Sequence, residues 1–468
     1  MITNEDIHGL KGAEFLNLKF SSSTNISTDS RTVARGQIFF ALRGEKFDGH
    51  DFVSAAVKKG AACAVVDRKW YRSAARAHRF VSGSPLVVVE DTTRALANLA
   101  QIYRRKFGIP VIAVGGSNGK TTTKEMVAKV LSRKYRVLKT AGNHNNQIGV
   151  PLTILRMKES HEAAVVEIGT NHPGEIERLC EVLAPSAGVI TNIGAEHLEF
   201  FKTISGVRRE EGKLFASLAR DGGTAFVNTD DRLVAELAAM PRRRVNYGFL
   251  ASSRRHVAGK LFGFDNKGCA VFEIKFAGRT ELVHLGVPGI HNAANALAAA
   301  AVGFRYGLSH PEVREALESF RSYDKRMQME KVSGVTILND TYNSNAESSI
   351  AALHWLSTVR AAGKRIAVLA DMLELGGASV REHEKVGKEA ANAGIDRLFT
   401  FGKMARRIAE SARGHVETQS FDDKLRLLGT LLQTISSGDV VLVKGSRGMK
   451  MEEVVEGLVH GLRNGRMR

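Results

Sequence analysis

The sequence predicts an α/β protein of three domains, and three observations support this prediction. Its length of 468 residues suffices for about three domains of roughly 150 residues each. Short β-branched runs that end in Gly, Asp or Asn alternate with helical stretches, as in mainly parallel sheets covered by helices. Breaks in this alternation divide the chain into segments 1–108, 109–322 and 323–468.

The first segment contains three predicted strands, at residues 37–42, 62–67 and 86–90. A helical stretch over residues 92–107 follows them and stops at Gly108, with Pro110 two positions later. Glycine just past a helix and proline shortly after it are stop signals, so we place the first domain boundary at this point.

The second and third segments repeat the strand and helix alternation. The second opens with an apolar strand at 111–115, continues with predicted strands at 163–169, 188–193 and 225–228, and includes an Ala-rich helix at 292–304. The third contains four apolar strands at 335–340, 365–371, 397–402 and 439–444. This pattern predicts a Rossmann-like, doubly wound C-terminal domain.

Charge and cysteine content limit the classes of function. The net charge of +18 is spread along the chain, and no basic stretch is interleaved with aromatic residues, so we expect no nucleic-acid partner. Two explanations of the excess positive charge remain: a generally basic surface, or ligands that are polyanionic small molecules. The three cysteines show no metal or disulfide spacing, and no apolar run reaches the ~18 residues that span a bilayer. We expect a cytoplasmic protein without membrane insertion.

The strongest motif is a glycine-rich loop, GGSNGKTTTKE, that directly follows the strand at 111–115. Glycines let backbone N–H groups face phosphates, a following helix adds its positive end, and a lysine reaches the outer phosphates. A Walker loop would have glycine where Val114 stands, so this is a shorter variant, and an ordinary strand-to-helix turn is the alternative. The motif predicts ATP binding by Gly116, Ser117, Asn118, Gly119, Lys120, Thr121 and Thr122.

Magnesium ligands are predicted around the same loop. The Thr121 hydroxyl suits Mg²⁺, and Glu167 and His197 follow two further apolar strands. Ligands gather at the carboxyl ends of parallel strands, so both side chains are candidates for a metal site. The alternative for each is structural: a capping or surface histidine, and a glutamate beside a helix N-terminus.

Motifs along nearly the whole chain resemble the Mur ligases, the ATP-dependent amide-forming enzymes of bacterial peptidoglycan precursor synthesis. The resemblance rests on TDSR from Thr28, the phosphate loop, GNHNNQIGVPLT from Gly142, EIGTNHPGEI from Glu167, TNIGAEHLEFF from Thr191 and GIHNAANALAA from Gly289. It implies three domains, ATP and Mg²⁺ as cofactors, and an acyl phosphate intermediate.

The third segment narrows the resemblance within the family. DTYNSN from Asp340, LADMLELG from Leu369 and KGSRGMKM from Lys444 resemble the member that joins D-alanyl-D-alanine to UDP-N-acetylmuramoyl tripeptide. These two substrates are the expected partners, and we expect a monomer. One alternative is a sister ligase that adds the third amino acid, although the DNPR-type motif expected of it is absent. A basic P-loop ATPase acting on nucleic acid is the alternative from another class.

The resemblance also implies roles for individual residues. Those expected at the reacting groups or the muramoyl-peptide are Lys120, Asn143, Asn145, Asn146, Gln147, Glu167 and His197. Those expected near the nucleotide, besides the loop, are Asn292, Asn295, Arg326 and Asp340. Those expected at the uridine end of the substrate are Ser30, Arg31, Asp48, Gly49 and His50. Asn343 and Asn345 are expected to help hold the incoming dipeptide.

One position departs from the family pattern. Mur ligases usually place a carbamylated lysine after the histidine motif, and aligning the pair Leu214-Phe215 puts Glu211 there. The nearest lysine, Lys213, is two positions away. A carbamylated lysine is in effect a long-armed carboxylate, so we predict that unmodified Glu211 replaces it as a catalytic residue and magnesium ligand. The alternative is that Glu211 is a solvated helix glutamate beside Glu210.

Overall fold

The chain falls into two units. A computed structural model describes residues 1–18, 24–44, 47–76, 83–250, 256–323 and 325–465. The first unit comprises residues 1–113, 135–170 and 174–187, and the second comprises residues 114–134, 171–173 and 188–468. These units do not test the predicted boundaries at 108 and 322, which stay predictions.

Helices and strands alternate along much of the chain, as predicted, although several strands follow one another without a helix between them. Up to residue 108 they are α1 (Asn4–His8), β1 (Glu14–Leu16), β2 (Ile26–Ser27), β3 (Ile38–Phe40), α2 (Val53–Lys58), β4 (Cys63–Asp67), α3 (Arg68–Arg76), β5 (Leu86–Val89) and α4 (Thr92–Arg104). In the middle of the chain they are β6 (Val111–Gly115), α5 (Lys120–Leu131), β7 (Val137–Lys139), α6 (Gly149–Ile154), β8 (Ala163–Glu167), α7 (Glu175–Leu183), β9 (Ala187–Ile190), α8 (Leu198–Phe201), α9 (Ile204–Asp221), β10 (Thr224–Asn228), α10 (Arg232–Leu237), β11 (Arg243–Gly248), β12 (Val257–Phe264), β13 (Cys269–Phe276), β14 (Arg279–Pro288), α11 (Ile290–Arg305) and α12 (His310–Glu318). In the C-terminal part of the chain the helices and strands are β15 (Gln328–Val332), β16 (Val335–Asp340), α13 (Ala346–Thr358), β17 (Arg365–Ala370), α14 (Ser379–Asn392), β18 (Arg397–Phe401), α15 (Arg406–Ala412), β19 (Glu417–Phe421), α16 (Lys424–Thr434), β20 (Val440–Lys444) and α17 (Glu452–Arg463).

The N-terminal sheet has the strand order β1-β5-β4-β3-β2. Its strands are parallel except β1, which runs antiparallel to β5. The three predicted strands are present but shorter than predicted, and the predicted helix ends at Arg104 rather than at residue 107. Phe39, Val66 and Val88 belong to its buried core, so apolar burial on these central strands explains why the sequence pattern located them.

The middle sheet has the strand order β14-β13-β12-β11-β10-β9-β6-β8-β7. Strands β12, β13 and β14 pair antiparallel and, like β11, were not predicted. Opposite charges pair across these strands, as at Lys260 and Glu273, and such polar residues interrupt the apolar runs that mark buried parallel strands. The sheet is therefore mixed: β7 pairs with β8, and β10 pairs with β11, in parallel. Its strand β6 leads into the glycine-rich loop.

The third sheet has the strand order β15-β16-β20-β17-β18-β19. The four predicted strands are its four central ones, and they pair in parallel. The prediction missed both edge strands because their sequences, QMEKV and ETQSF, are largely polar and mostly exposed. Edge strands commonly carry polar side chains, which leave little hydrophobic pattern to detect.

The three cysteines, Cys63, Cys180 and Cys269, are buried and form no disulfide bond. Burial raises the pKa of the Cys63 thiol to about 12, so it stays protonated at neutral pH. Among the described residues, every helix is too short or too polar to cross a bilayer.

Replacing Arg104 by methionine should destabilise the first unit. This buried guanidinium donates through Nε to the Leu183 carbonyl at 3.0 Å, and its two other nitrogens donate to the carbonyls of Phe107 (2.5 Å) and Ile109 (3.3 Å). Losing these hydrogen bonds is expected to lower the free energy of unfolding by about 2 kcal/mol, measured by urea unfolding. Arg105→Met is the control because Arg105 is exposed. Equal stability of the two variants would contradict the prediction.

Candidate active site

The glycine-rich loop connects the buried strand β6 to helix α5, which begins at Lys120. Gly116 and Gly119 have φ values of +110° and +82°, a region that side chains with a Cβ rarely occupy. A Cβ at Gly116 would also collide with Thr191. The loop therefore adopts a conformation that requires glycine at both positions and leaves its amides at the helix N-terminus, as a phosphate-binding loop does.

The loop is held in place by the segment that follows β9. The backbone N–H of Asn118 donates to Asn192 Oδ1 at 2.9 Å. Its carbonyl accepts from Thr191 Oγ1 at 2.7 Å and from Asn192 Nδ2 at 2.9 Å. The Ser117 amide donates to the Asn192 carbonyl, also at 2.9 Å. These bonds fix both polar backbone groups of Asn118, so the shape of the loop depends on Thr191 and Asn192.

Lys120 curls back over the loop. Its Nζ donates to the carbonyls of Gly116 (2.5 Å) and Ser117 (3.0 Å), and lies 3.3 Å from Glu196 Oε2. The neighbouring Thr121 is buried in the first turn of α5. An ammonium in this position adds a positive charge beside the loop amides, and its contact with the outer phosphates stays a prediction.

Helix α9 places Glu211 directly behind the loop. Its side chain is fully buried, and Oε2 accepts the Gly116 N–H at 2.7 Å, so the alternative of a solvated helix glutamate is wrong. Burial, reinforced by the charge of Glu196, raises the pKa of Glu211 to about 8, while Lys120 and the Gly116 N–H oppose this rise. Glu196, which the sequence prediction did not assign a role, is buried beside it.

His197 adopts a left-handed backbone conformation, with φ of +46°, and precedes helix α8. Its Nδ1 lies 2.7 Å from Glu374 Oε2, and its Nε2 lies 4.0 Å from Glu196 Oε2. The contact with His197 lowers the pKa of Glu374. The imidazole therefore has one nitrogen against a carboxylate from the third segment and the other toward the buried glutamate pair.

The surroundings of the loop fit a divalent cation. Within the described residues, Glu196 Oε1 and Glu211 Oε1 are buried without a hydrogen-bond partner, and a buried carboxylate oxygen needs a cation or a donor. No group of three or more His, Cys, Asp or Glu side chains in this part of the chain forms a ready-made metal site. Mg²⁺ commonly uses one or two carboxylates together with substrate phosphates and water, so a smaller set suffices.

The predicted metal ligands divide between the two units. Thr121, His197 and Glu211 lie in the second unit, and Glu167 lies in the first. In its own unit, Glu167 is buried at the end of β8, and Asn145 Nδ2 donates to its Oε1 at 2.9 Å. The assignment of Thr121 to one magnesium ion, and of Glu167 and His197 to a second, stays a prediction.

Asn292 and Asn295, predicted near adenine, lie buried on helix α11. Asn292 Nδ2 donates to the Pro288 carbonyl at 2.7 Å, and Asn295 Nδ2 donates to Asn292 Oδ1 at 3.1 Å. The side-chain oxygen of Asn295, Oδ1, accepts from Thr123 Oγ1 at 3.0 Å. The pair therefore braces the first turn of α5, a supporting contact that the sequence pattern did not reveal.

Arg326 and Asp340 lie close to each other at the start of the third segment. The Asp340 carboxylate accepts the Met327 N–H at 3.0 Å and pairs with the buried Lys444 at 2.7 Å. Arg326 stacks its guanidinium 3.6 Å from the ring centroid of Tyr342, a cation–π contact. Lys444 and Tyr342 belong to the quoted motifs but had no predicted role.

Asn343 and Asn345 differ in their surroundings. Asn343 is exposed, and its carbonyl accepts from Lys444 Nζ at 3.0 Å. Asn345 is the N-cap of α13: its Oδ1 accepts the Ser348 N–H at 2.9 Å. Its Nδ2 donates to Asn118 Oδ1 in the glycine-rich loop at 2.9 Å. The predicted contact of these asparagines with a dipeptide stays a prediction.

The predicted uridine-binding residues lie in the first unit. The exposed Arg31 pairs with Asp29 at 2.8 Å, and the Ser30 carbonyl accepts from Lys59 Nζ. A Cβ at Gly49 would collide with the backbone of Leu42, so glycine is required there.

His50 is buried next to this turn. Its Nδ1 contacts Asp48 Oδ1 at 2.5 Å, and its Nε2 accepts the Asp67 N–H at 3.0 Å. Both ring nitrogens are thus engaged within the protein, which indicates that His50 shapes the turn.

The loop predicted at the reacting acyl group precedes α6. Asn143, Asn146 and Gln147 are exposed, and Asn146 Oδ1 accepts the Ile148 and Gly149 amides at 3.1 and 2.9 Å. The Asn145 carbonyl accepts the Gly169 N–H at 2.9 Å, which ties the loop to the end of β8. These contacts leave the exposed side chains of Asn143 and Gln147 on the surface of this unit.

Three family models match consecutive parts of the chain. The "Mur ligase family, catalytic domain" matches residues 22–104, the "Mur ligase middle domain" matches residues 114–303, and the "Mur ligase, glutamate ligase domain" matches residues 325–447. Each match covers one of the three α/β regions of the fold. The predicted three-domain α/β architecture is thereby confirmed.

Relatives and solved structures match the chain almost end to end. UDP-N-acetylmuramoyl-tripeptide--D-alanyl-D-alanine ligase of Bacillus subtilis (strain 168) is 36% identical over 93% of each chain. The enzyme of the same name from Escherichia coli (strain K12) is 36% identical over 92% of this chain and 93% of its own. MurF from Acinetobacter baumannii superposes with a TM-score of 0.87 at 29% identity over 98% of both chains. MurF ligase from Thermotoga maritima in complex with ADP gives a TM-score of 0.83 at 28% identity over 94% of this chain and 98% of its own.

Proposed function

The chain belongs to the Mur ligase family, and we propose that it joins D-alanyl-D-alanine to UDP-N-acetylmuramoyl-tripeptide at the expense of ATP. The observation that carries the proposal is the unbroken similarity to ligases of this specificity, third segment included. The sister ligase that adds the third amino acid is not supported, since the relatives carry the dipeptide-adding name.

The first step forms an acyl phosphate. The terminal carboxylate of the tripeptide attacks the γ-phosphorus of ATP, and ADP leaves. The loop amides and Lys120, whose ammonium already lies against the Gly116 and Ser117 carbonyls, would stabilise the charge that builds on the transferred group. The ADP complex of the Thermotoga maritima relative supports nucleotide binding by this chain.

The second step forms the amide bond. The dipeptide amine attacks the acyl carbon, a tetrahedral intermediate forms, and phosphate leaves as the carbonyl is restored. The acyl phosphate would hydrolyse in open water, so the site must exclude water until the amine arrives. Two residues of the third segment already reach this region: Asn345 contacts the loop, and Glu374 contacts His197. The third segment can therefore cover the site and exclude water.

We propose that Thr121 holds one Mg²⁺ ion and that Glu167 and His197 hold a second, with Glu211 as a further ligand in place of the carbamylated lysine. The bound ions would supply positive charge to the phosphates and the developing acyl phosphate. Among the described residues, Glu196 Oε1 and Glu211 Oε1 are buried without a hydrogen-bond partner, which supports the assignment of Glu211.

The remaining expectations belong to the same proposal. We propose that the ligase works as a monomer in the cytoplasm, because one chain supplies the loop, Glu211 and the third-segment contacts. The proposed substrates are anionic and so suit a basic chain, and we propose no nucleic-acid partner.

The decisive experiment supplies ATP, Mg²⁺ and UDP-N-acetylmuramoyl-tripeptide, and measures phosphate release and product mass with different acceptors. Release with D-alanyl-D-alanine and formation of a pentapeptide product are expected. Tripeptides ending in lysine and in diaminopimelate are compared to find the preferred donor. Product with a free amino acid and none with the dipeptide would overturn the proposal.

Replacing Glu374 by glutamine should weaken magnesium use. A carboxylate against one nitrogen of a metal-binding histidine orients the ring, and its loss typically costs about tenfold in metal affinity. We therefore expect the Mg²⁺ concentration for half-maximal turnover to rise about tenfold, with kcat largely restored at saturating Mg²⁺. Glu384→Gln on the neighbouring helix is the control. An unchanged Mg²⁺ dependence would mean that Glu374 does not orient a metal ligand.

A further inference from the structure

We propose that Asn345 and Glu347 are positioning residues that fasten the third segment to the phosphate loop through the side chain of Asn118. This inference rests on the proposed function, because its purpose is to keep the acceptor-binding segment over the acyl phosphate. It assigns a role to Glu347, for which the sequence motifs indicated none.

Asn118 is the meeting point of the two segments. Its Oδ1 accepts from Asn345 Nδ2 at 2.9 Å, and its Nδ2 donates to Glu347 Oε2 at 3.1 Å. A single primary amide thus uses its acceptor and its donor on two residues of the same helix start. This complementarity fixes the orientation of the amide, since rotating it would oppose two donors and two acceptors.

Glu347 lies close against the loop region. Its carboxylate touches Gly194, where a Cβ would collide with it. Burial raises the pKa of Glu347, partly offset by the positive charge of Lys385 and the Ala195 N–H. Desolvating a carboxylate is unfavourable unless donors replace the lost water, and here Asn118 and the Ala195 amide do so.

The hydrogen bonds of the Asn118 side chain connect two parts of the protein that are each held in place. On one side, the Asn118 backbone is bound to Thr191 and Asn192, so its side chain cannot move independently of the loop. On the other, Asn345 caps α13 and so is rigidly part of that helix. When the amide bonds are made, the start of α13 is therefore held at the loop that binds the phosphates. Breaking them should let the third segment leave before the amine has reacted.

The predicted consequence is uncoupling. In the wild type, one phosphate should be released per pentapeptide formed. In Glu347→Ala, water should reach the acyl phosphate, so the ratio of phosphate to pentapeptide rises severalfold. The KM for D-alanyl-D-alanine should rise about tenfold, roughly the value of one hydrogen bond to a charged group.

Three further variants separate positioning from general damage. Asn345→Asp keeps an excellent N-cap but removes the donor to Asn118, so it should uncouple like Glu347→Ala while α13 stays intact. Glu347→Gln keeps an acceptor for Asn118, so it should still release about one phosphate per pentapeptide formed. Glu389→Ala changes an exposed glutamate on α14 and should match the wild type.

Hydrogen exchange tests the contact without any turnover. In nucleotide-free protein, a peptide covering residues 116–119 should exchange faster in Glu347→Ala and Asn345→Asp than in the wild type, Glu347→Gln or Glu389→Ala. Wild-type coupling, KM and exchange in both Glu347→Ala and Asn345→Asp would overturn the inference. A wild-type chain that forms no pentapeptide would overturn the proposed function instead, and exchange would still decide whether the contact positions the loop.

Discussion

Replacing Lys120 by methionine is expected to lower kcat for pentapeptide formation about a thousandfold, because preorganised charge at a reacting group contributes at this scale. Methionine preserves the length and packing of the side chain but removes the ammonium that lies 3.3 Å from Glu196 and against two loop carbonyls. The charge on the transferred phosphoryl group would then lack the stabilisation that we assign to this ammonium. Steady-state phosphate release with saturating substrates measures this loss.

Lys129→Met provides a matched control. Lys129 lies on the same helix but is exposed, so its variant should retain wild-type turnover. ATP binding measured by calorimetry should weaken much less in Lys120→Met than kcat falls, because the lysine is expected to act mainly on the transition state. A Lys120→Met enzyme with kcat within threefold of the wild type would refute the assigned role.

Replacing Glu211 by glutamine is expected to lower turnover about a hundredfold, the scale of losing one charge stabiliser of the transition state. Glutamine can still accept the Gly116 N–H but cannot supply a negative charge to a cation. The same reasoning predicts that wild-type turnover is independent of added bicarbonate, since no lysine carbamate has to form. Activity in carbon dioxide-free buffer, with and without bicarbonate, measures this.

Lysine variants test the assignment directly. Glu211→Lys should be inactive in carbon dioxide-free buffer and should regain part of its turnover with bicarbonate, which can carbamylate the new amine. Lys213→Met should keep bicarbonate-independent turnover if the neighbouring lysine has no such role. Bicarbonate dependence of the wild type that disappears in Lys213→Met would assign the modified position to Lys213 and contradict the role of Glu211.

The strands found from the sequence are those buried on both faces. Val111–Gly115, Val335–Asp340 and Val440–Lys444 form central strands whose apolar runs reflect burial between helices. Gln328–Val332 and Glu417–Phe421 escaped because edge strands expose polar residues. The sequence thus predicts strands that are buried, whereas an edge strand forms only where the fold places a neighbouring strand beside it.

The candidate site divides in the same way. The phosphate loop could be predicted because its function depends on consecutive residues, from Gly116 to Thr122. The departure at Glu211 was also visible, but only the fold shows that this side chain is fully buried and bonded to the loop. Glu196 lies in a quoted motif but had no predicted role, and Glu347 carried no signal, since the importance of both lies in distant neighbours.

The sequence alone determined the local features: the alternating α/β pattern, the glycines that adopt a left-handed backbone, and the lysine and threonine that follow them. It also determined the family to which these motifs belong. Tertiary structure alone decided that Asn118 meets Asn345 and Glu347, more than two hundred residues away. It also decided that Glu374 meets His197. The physical reason is that backbone conformation and burial periodicity depend on neighbours in the chain, whereas side-chain pairing and desolvation depend on neighbours in space.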